Sequence, residues 1–252
     1  MARRLLAMGL TPNALTMLGG ALTVAAGGFF MAGAGHAAPW EAGRLDAPTS
    51  WIPILGAVTL TIASFLDVFD GAVARLGNLS SRFGAVLDST VDRLSDWAIF
   101  GSCAGYFFWR HNLTMGLLSL TALLAAYVIS YVRARAENVV DDCEVGFWQR
   151  PERCVVFFFA AFVAHIPAAI WLLGTFPLVT AAHRLLHTRR LTLDLDARPG
   201  IRWPWRHPRG SIGYLLFFGA LLGFIVAAPH VHPIFAGRID PLAFAAALLF
   251  GE

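Results

Sequence analysis

Charge is what this sequence has least of. Only 14% of its 252 residues are Asp, Glu, Lys or Arg, where a soluble globular domain carries about a quarter. With 57% hydrophobic residues and a mean hydropathy of +0.63, a soluble domain is excluded and a polytopic, all-α membrane protein is indicated. Cysteine is scarce too. Cys103, Cys143 and Cys154 have neither metal-ligand spacing nor an evident pairing, so they read as reduced structural residues. The first apolar run lacks a cleavage site and continues into further spans, which argues against a removable signal peptide. A net charge of only +3 gives no reason to expect a nucleic-acid partner.

Apolar runs of crossing length, about 20 residues each, recur along the chain. The start, MARRLLAMGLTPN, is basic and amphipathic and reads as a short interfacial helix. Spans are predicted over residues 14–33, 51–75, 83–108, 113–137, 154–174 and from 176 into HRLLHTRR. The glycines of the first suggest close helix packing. Residues 211–228 read as a seventh span, and 241–250 are too short for a normal crossing. This divides the chain into a membrane domain, 1–190, and a linker with a C-terminal hydrophobic extension, 191–252. Arg3, Arg4, Arg75, Arg82, Arg133, Arg135, Arg150, Arg153, Arg184, Arg189 and Arg190 fall at one set of span ends. The opposite loops hold little beyond Arg44 and Arg110. The positive-inside rule then puts the first set on the cytoplasmic side of the cell membrane.

The acids that do occur are concentrated. DVFDGAVARLGNLSSRFGAVLDSTVD carries Asp67 and Asp70, three apart, then Asp88 and Asp92, four apart. Each pair shares a helix face. Intramembrane acids are costly and mark function. Four carboxylates on adjoining helices suit a pair of hard divalent cations, and Mg²⁺ in particular shares its sphere with substrate phosphates. Gly71, Ala74 and Gly84 are small enough to let a phosphate or nucleotide approach the backbone. Arg75 and Ser81 sit where they could meet its oxygens. The blander alternative has the acids paired with Arg75, Arg82 and Arg93 at helix ends. A second cluster, Ser130, Arg133 and Arg135 with Arg153 and Arg184, comes from three other helix ends. Converging, these arginines would favour a phosphorylated acceptor; otherwise they are ordinary membrane anchors.

The pattern D-x-x-D-G-x-x-A-R, eight residues, then G-x-x-x-D-x-x-x-D is met by Asp67, Asp70, Gly71, Ala74, Arg75, Gly84, Asp88 and Asp92. It resembles the signature of the CDP-alcohol phosphatidyltransferase family. That resemblance implies six core transmembrane helices followed here by one or two extra C-terminal apolar segments, a homodimer, and a site for two Mg²⁺ ions, with Mn²⁺ able to substitute. It implies transfer of a phosphatidyl group from CDP-diacylglycerol to an alcohol, releasing CMP. Asp67, Asp70, Asp88 and Asp92 would bind the metals, and Asp92 would also be the general base. Asn13, Ala14, Leu15, Thr16, Gly71, Ala74, Arg75, Ser81 and Gly84 would hold the CDP-lipid.

Within the family, GLTPNALTMLG, RFGAVLDSTVDRLSD, VISYVRARAE, QRPER and HRLLHTRR look most like the prokaryotic phosphatidylinositol-phosphate synthases. That likeness implies inositol 1-phosphate as acceptor, its phosphate held by Ser130, Arg133, Arg153 and Arg184. The subfamily commonly has lysine where Arg133 stands, and the loop at 34–50 and the chain beyond 190 have no counterpart in it. Glycerol 3-phosphate as acceptor, or an archaeal-type CDP-lipid as donor, are the alternatives. A cation-coupled transporter is the remote one, which would scatter its acids over several helices. His165, His183 and His187 read as polar interface residues rather than ligands, and His207, His230 and His232 as solvated loop residues.

Overall fold

The computed structural model describes residues 11–43, 45, 47–77, 79, 81–141, 143–193 and 210–250, apart from the side chains of residues 246 and 248–250. The interfacial segment expected at 1–10, with Arg3 and Arg4, lies outside the described residues, as do Arg44, His207 and most of the linker after 193. The described residues form α1 (Pro12–Gly33), a 3₁₀ turn (Pro39–Glu41), α2 (Ile52–Leu76), α3 (Arg82–Trp109), α4 (Leu113–Ala136), α5 (Arg150–Phe162), α6 (Ile166–Thr175), α7 (Leu178–Thr192), α8 (Ile212–Val231) and α9 (Pro241–Phe250). Among the described residues, five helical stretches are long and apolar enough to cross a bilayer: α1, α2, α4, α6 joined with α7, and α8. The chain is an all-α multi-pass membrane protein.

Short polar side chains start the helices where the sequence supplies them. Thr11 caps α1, Ser81 caps α3, Asn112 caps α4 and Ser211 caps α8, each accepting from a backbone N–H three residues on, as N-caps do. Pro12 and Pro53 occupy first-turn positions, where a missing N–H costs nothing. The bundle is organised around α1, which packs against both α2 and α3. Two glycines permit that approach. A Cβ on Gly27 would stand 2.5 Å from the Ala98 carbonyl oxygen, and one on Gly19 would stand 3.3 Å from that of Ala63. The main apolar core is shared between this three-helix unit and the helices that follow it, around Phe30, Phe100, Trp148, Phe157, Ile170 and Ile225.

The fifth and sixth spans differ from their predicted limits. The run expected to cross over 154–174 breaks at residues 163–165, where Ala164 has a left-handed φ of 56°. The cause is Pro167. Inside a continuing helix its ring would collide with the carbonyl four residues back, and it disfavours helical geometry at the residue before it. α5 therefore ends after 13 residues, about 20 Å of helix, and α6 begins anew. The break expected near Phe176 is only a short interruption at Phe176–Pro177. A Cβ on Gly174 would meet the Leu118 carbonyl at 2.7 Å, and Arg184 Nη1 donates to the Ile129 carbonyl at 2.7 Å. So α6 and α7 run in succession alongside α4, in the same direction, as one 27-residue crossing.

α8 packs on α5 and α6. Beyond it Asp240 fastens the C-terminal end to the start of α4. Its carboxylate accepts from the backbone N–H of Leu113 at 2.6 Å and of Thr114 at 3.2 Å, from the Thr114 hydroxyl, and from the N–H groups of Leu242 and Ala243. One side chain thus caps both α4 and α9. Partial burial would raise the Asp240 pKa, but the hydrogen bonds from Thr114, Ala243 and Leu113 together outweigh it and hold the carboxyl below its ordinary value of 3.8. A depressed pKa of this kind contributes stability above the unfolded-state value and loses it as pH falls through the folded-state value. Asp240→Ala is therefore expected to lower stability by about 1 kcal/mol at neutral pH, with the difference closing below about pH 4. Thermal unfolding in detergent across that range checks this; an unchanged gap at pH 3 would contradict it.

Candidate active site

The acidic residues sit where α1, α2 and α3 meet. Asp67 and Asp70 project from the second half of α2, Asp88 and Asp92 from the first half of α3, and the turn capped by Ser81 folds one helix back on the other. One carboxylate oxygen from each of Asp67, Asp70 and Asp88 lies within 4.8 Å of the other two. Asp70 is buried and accepts a 2.6 Å hydrogen bond from Thr16 Oγ1 of α1. Two carboxylates at that separation repel by roughly 3 kcal/mol at an effective dielectric near 20. Among the described residues neither Asp70 nor Asp88 has an arginine or histidine within 4.0 Å. An all-oxygen donor set with that unbalanced charge fits a hard divalent cation such as Mg²⁺ or Mn²⁺.

Asp92 stands slightly apart. It is close enough to interact electrostatically with Asp67 and Asp88, but its carboxylate is ion-paired with Arg150, the first residue of α5. Arg150 Nη1 is also 3.8 Å from Asp67, and its Nε is buried without a partner. The arginine thus links the two acidic helices. A narrow cleft opens between α1, α2, α3 and α5, and Thr16, Asp67, Asp92, Asp96, Arg150 and Cys154 reach its wall. The pairing of every acid with Arg75, Arg82 or Arg93 does not occur here. Only Asp96, a further buried acid, pairs with Arg93, at 3.2 Å.

The residues matched to the CDP-lipid contacts fall around the same junction. Gly84 lies against both Ser81 and Asn13: a Cβ there would be 3.0 Å from Ser81 Oγ and 3.3 Å from Asn13 Oδ1. Arg75 extends its guanidinium over Gly71, 3.4 Å from where a Cβ would stand. Ala14 is exposed and Ala74 half-buried beside them. Leu15 differs, since its side chain is fully buried against Val73. Any contact it makes with a ligand is through its backbone.

The second cluster is near but does not line the cleft; Arg150 is the basic residue that does. Arg153 is 4% exposed, donates from Nη1 to the Trp148 carbonyl at 3.0 Å, and keeps Nη2 buried with no partner. Arg184 is buried with its guanidinium on the carbonyls of Ile129 and Val145. Ser130 Oγ accepts from Arg93 Nη1 at 2.6 Å. Arg133 is bound by two glutamates, Glu137 at 2.6 Å and Glu144 at 2.5 Å. Electrostatic contact nonetheless runs on from Arg150 through Asp96 to Arg153, and from Arg153 through Arg184 to Arg133. Arg150, Arg93 and Asp96 are the site residues that reading the sequence missed. A signal for Arg150 was present: it is three residues before Arg153 at the start of a helix, so both share a face.

Residues 9–185 match the family model for CDP-alcohol phosphatidyltransferases. The chain is 34% identical to the phosphatidylinositol phosphate synthase of Mycobacterium tuberculosis over 214 residues, 79% of this chain and 89% of that protein. It is 40% identical to the archaetidylinositol phosphate synthase of Methanothermobacter thermautotrophicus over 141 residues, 53% of this chain and 69% of that one. Its fold is similar to crystal structures of the M. tuberculosis synthase. With CDP-DAG bound the TM-score is 0.62 at 32% identity, over 74% of this chain and 90% of that one. In complex with manganese and citrate it is 0.61 at 33% identity, over 74% and 86%.

If Arg150 serves as the built-in counter-charge of the acidic pairs, Arg150→Ala should destabilise the chelated protein by about 1–2 kcal/mol, discounted from the fully buried case for its partial exposure. Added Mg²⁺ should recover most of that loss by neutralising the same carboxylates. Equal melting temperatures for the two proteins in EDTA would show that Arg150 has no such role.

Proposed function

The chain belongs to the CDP-alcohol phosphatidyltransferase family, and from that premise we propose that it makes a phosphatidylinositol phosphate, taking the phosphatidyl group from CDP-diacylglycerol and inositol 1-phosphate as acceptor. It is an enzyme of phospholipid synthesis. The observation that carries the site assignment is the convergence of Asp67, Asp70 and Asp88 to within 4.8 Å at the edge of a cleft bounded by α1, α2, α3 and α5. Asp67, Asp70 and Asp88, with Asp92 alongside, would hold a pair of Mg²⁺ ions. When bound, such ions offset the charge that grows on the diphosphate oxygens during displacement at phosphorus.

The remaining work falls to the chain's own residues. Asn13, Ser81 and Gly84 at one side of the junction, and Gly71, Ala74 and Arg75 at the other, seat the nucleotide diphosphate with its lipid chains toward the bilayer. Glycine at 71 and 84 leaves the backbone open to close approach. The acceptor hydroxyl attacks the phosphorus that carries the diacylglycerol. A new P–O ester bond forms, the bridging P–O bond of the diphosphate breaks, and CMP leaves with the electron pair. Asp92 takes the hydroxyl proton. Its ion pair with Arg150 holds the carboxylate in one orientation, and the second oxygen is left to face the acceptor. Arg153, whose Nη2 is buried without a protein partner, is the residue best suited to meet the acceptor phosphate, supported by Arg184 and Ser130. Arg133 joins only by giving up Glu137 or Glu144. The positive-inside pattern supports a cytoplasm-facing site, and the family supports a homodimer in the cell membrane. Residues 1–190 carry the chemistry, and 191–252 are an addition to it.

The likeness to an archaeal enzyme named for an archaetidyl product favours one second reading, in which the donor has an ether-linked archaeal backbone. Purified protein in mixed micelles, given CDP-diacylglycerol or its archaeal counterpart with inositol 1-phosphate, glycerol 3-phosphate or free inositol, separates these readings by CMP release. The expected result is turnover with inositol 1-phosphate and CDP-diacylglycerol. Asp92→Asn should lower kcat at least 100-fold, the range of a lost general base, and Arg153→Ala should chiefly raise KM for the acceptor. Turnover with glycerol 3-phosphate alone would overturn the acceptor assignment, and an unimpaired Asp92→Asn would remove Asp92 as base.

A further inference from the structure

At the end of the bundle away from the acidic junction, three separate parts of the chain converge. Glu41 comes from the 3₁₀ turn before α2, His165 from the break between α5 and α6, and His230 from the last turn of α8. One carboxylate oxygen of Glu41 and one ring nitrogen of each histidine all lie within 4.8 Å of one another. His165 and Glu41 are buried. Phosphatidyl transfer has no use for such a group, and two of the three residues belong to the 34–50 loop and the C-terminal extension. The expectation that His165 and His230 are interface and loop residues is corrected here: one is a core residue, the other helical.

The hydrogen bonds fix the tautomer. His165 Nδ1 is 2.9 Å from the Ile225 carbonyl oxygen, which can only accept, so Nδ1 carries the ring proton. In the neutral ring Nε2 is then a bare lone pair. It points at both Glu41 oxygens, 3.0 Å from each, and a carboxylate also offers only lone pairs. Two acceptors facing one another in a buried place need a positive species between them. A proton would serve for the pair, but a third donor is present: His230 Nε2 lies 3.4 Å from Glu41 Oε1. Metal bonds of about 2.0–2.2 Å at the tetrahedral angle place ligand atoms about 3.3 Å apart, close to the 3.0 Å and 3.4 Å that separate Glu41 from the two imidazole nitrogens. A histidine that donates its other N–H to a backbone carbonyl is the usual support of a metal ligand. The His230 side chain is 38% exposed, which leaves a fourth position open to water.

We propose that Glu41, His165 and His230 bind a divalent transition-metal ion of the Zn²⁺ class, with water as the fourth ligand. Two imidazoles and one carboxylate suit such an ion and disfavour Mg²⁺. The ion cross-links the 34–50 loop, the helix break and α8, and so fastens the C-terminal extension to the core. The test uses the full chain in detergent, stripped with EDTA and then held in excess Mg²⁺ to occupy the acidic junction. After Zn²⁺ addition and desalting, bound zinc is counted by mass spectrometry and the melting temperature is measured. Wild type and Asp70→Asn should each retain a single zinc ion per chain and melt higher for it. His230→Ala, a half-exposed position whose loss leaves the core intact, should bind Zn²⁺ at least about tenfold more weakly and show no such rise, and Glu41→Gln should behave likewise. Zinc retention by His230→Ala equal to wild type, its loss in Asp70→Asn, or no retention by wild type would each overturn the assignment.

Discussion

Unbalanced negative charge inside an apolar bundle is the constraint on which the rest of this structure depends. Asp67, Asp70 and Asp88 are held within 4.8 Å of one another, and mutual repulsion alone would drive them apart. Covalent chain direction and helix packing prevent it. α1 reaches close enough to give Asp70 the Thr16 hydroxyl because Gly19 and Gly27 let its backbone touch α2 and α3. α5 begins with an arginine that lies across Asp92 toward Asp67. A packed scaffold that forces carboxylates together stores the affinity it will show for a cation. A cation held there would need no rearrangement of its ligands to offset charge on a bound diphosphate.

Much of this was legible in the sequence because it rests on period and spacing. The two acidic pairs lie on single helix faces by their intervals of three and four, and the helices carrying them appear within a residue or two of the expected limits. Gly19, Gly20, Gly27 and Gly33 of the first span proved to be contact points with two neighbours, while Gly28 faces open space. The fifth span was misread because hydropathy continues unbroken through residues 154–174 while backbone geometry does not. Pro167 marks the true boundary, and composition outweighed it. Arg150 was passed over for a different reason. Its spacing of three from Arg153 marks a shared helix face, but its ion pairs with Asp92 and Asp67 depend on how α5 docks on α2 and α3, which that spacing does not encode. The convergence of Glu41, His165 and His230 lies furthest from the sequence of all, since these residues are separated by 124 and 65 positions.

The bundle has two chemically distinct ends. One gathers the four aspartates of α2 and α3 and the arginines beside them, and its contacts continue from Arg150 through Asp96 and Arg153 to Arg184. The other is built largely from the 34–50 loop and the chain beyond 210, where Asp240 caps two helices at once and His165 meets Glu41. α5 is the short element between them, with Arg150 at one end and the helix break at the other. A restraint on that break therefore bears on the helix that presents Arg150 to the acidic junction.

Mn²⁺ binding followed by loss of the free-ion electron paramagnetic resonance signal tests the acidic junction most directly, since it reads the cation and not the reaction. The purified wild-type chain should take up Mn²⁺, more tightly when CDP is present, and the combined Asp67→Asn, Asp70→Asn and Asp88→Asn variant should lose that uptake while keeping its helical content. Equal Mn²⁺ uptake by the folded triple variant, with the same response to CDP, would contradict the assignment of the junction as the cation and diphosphate site.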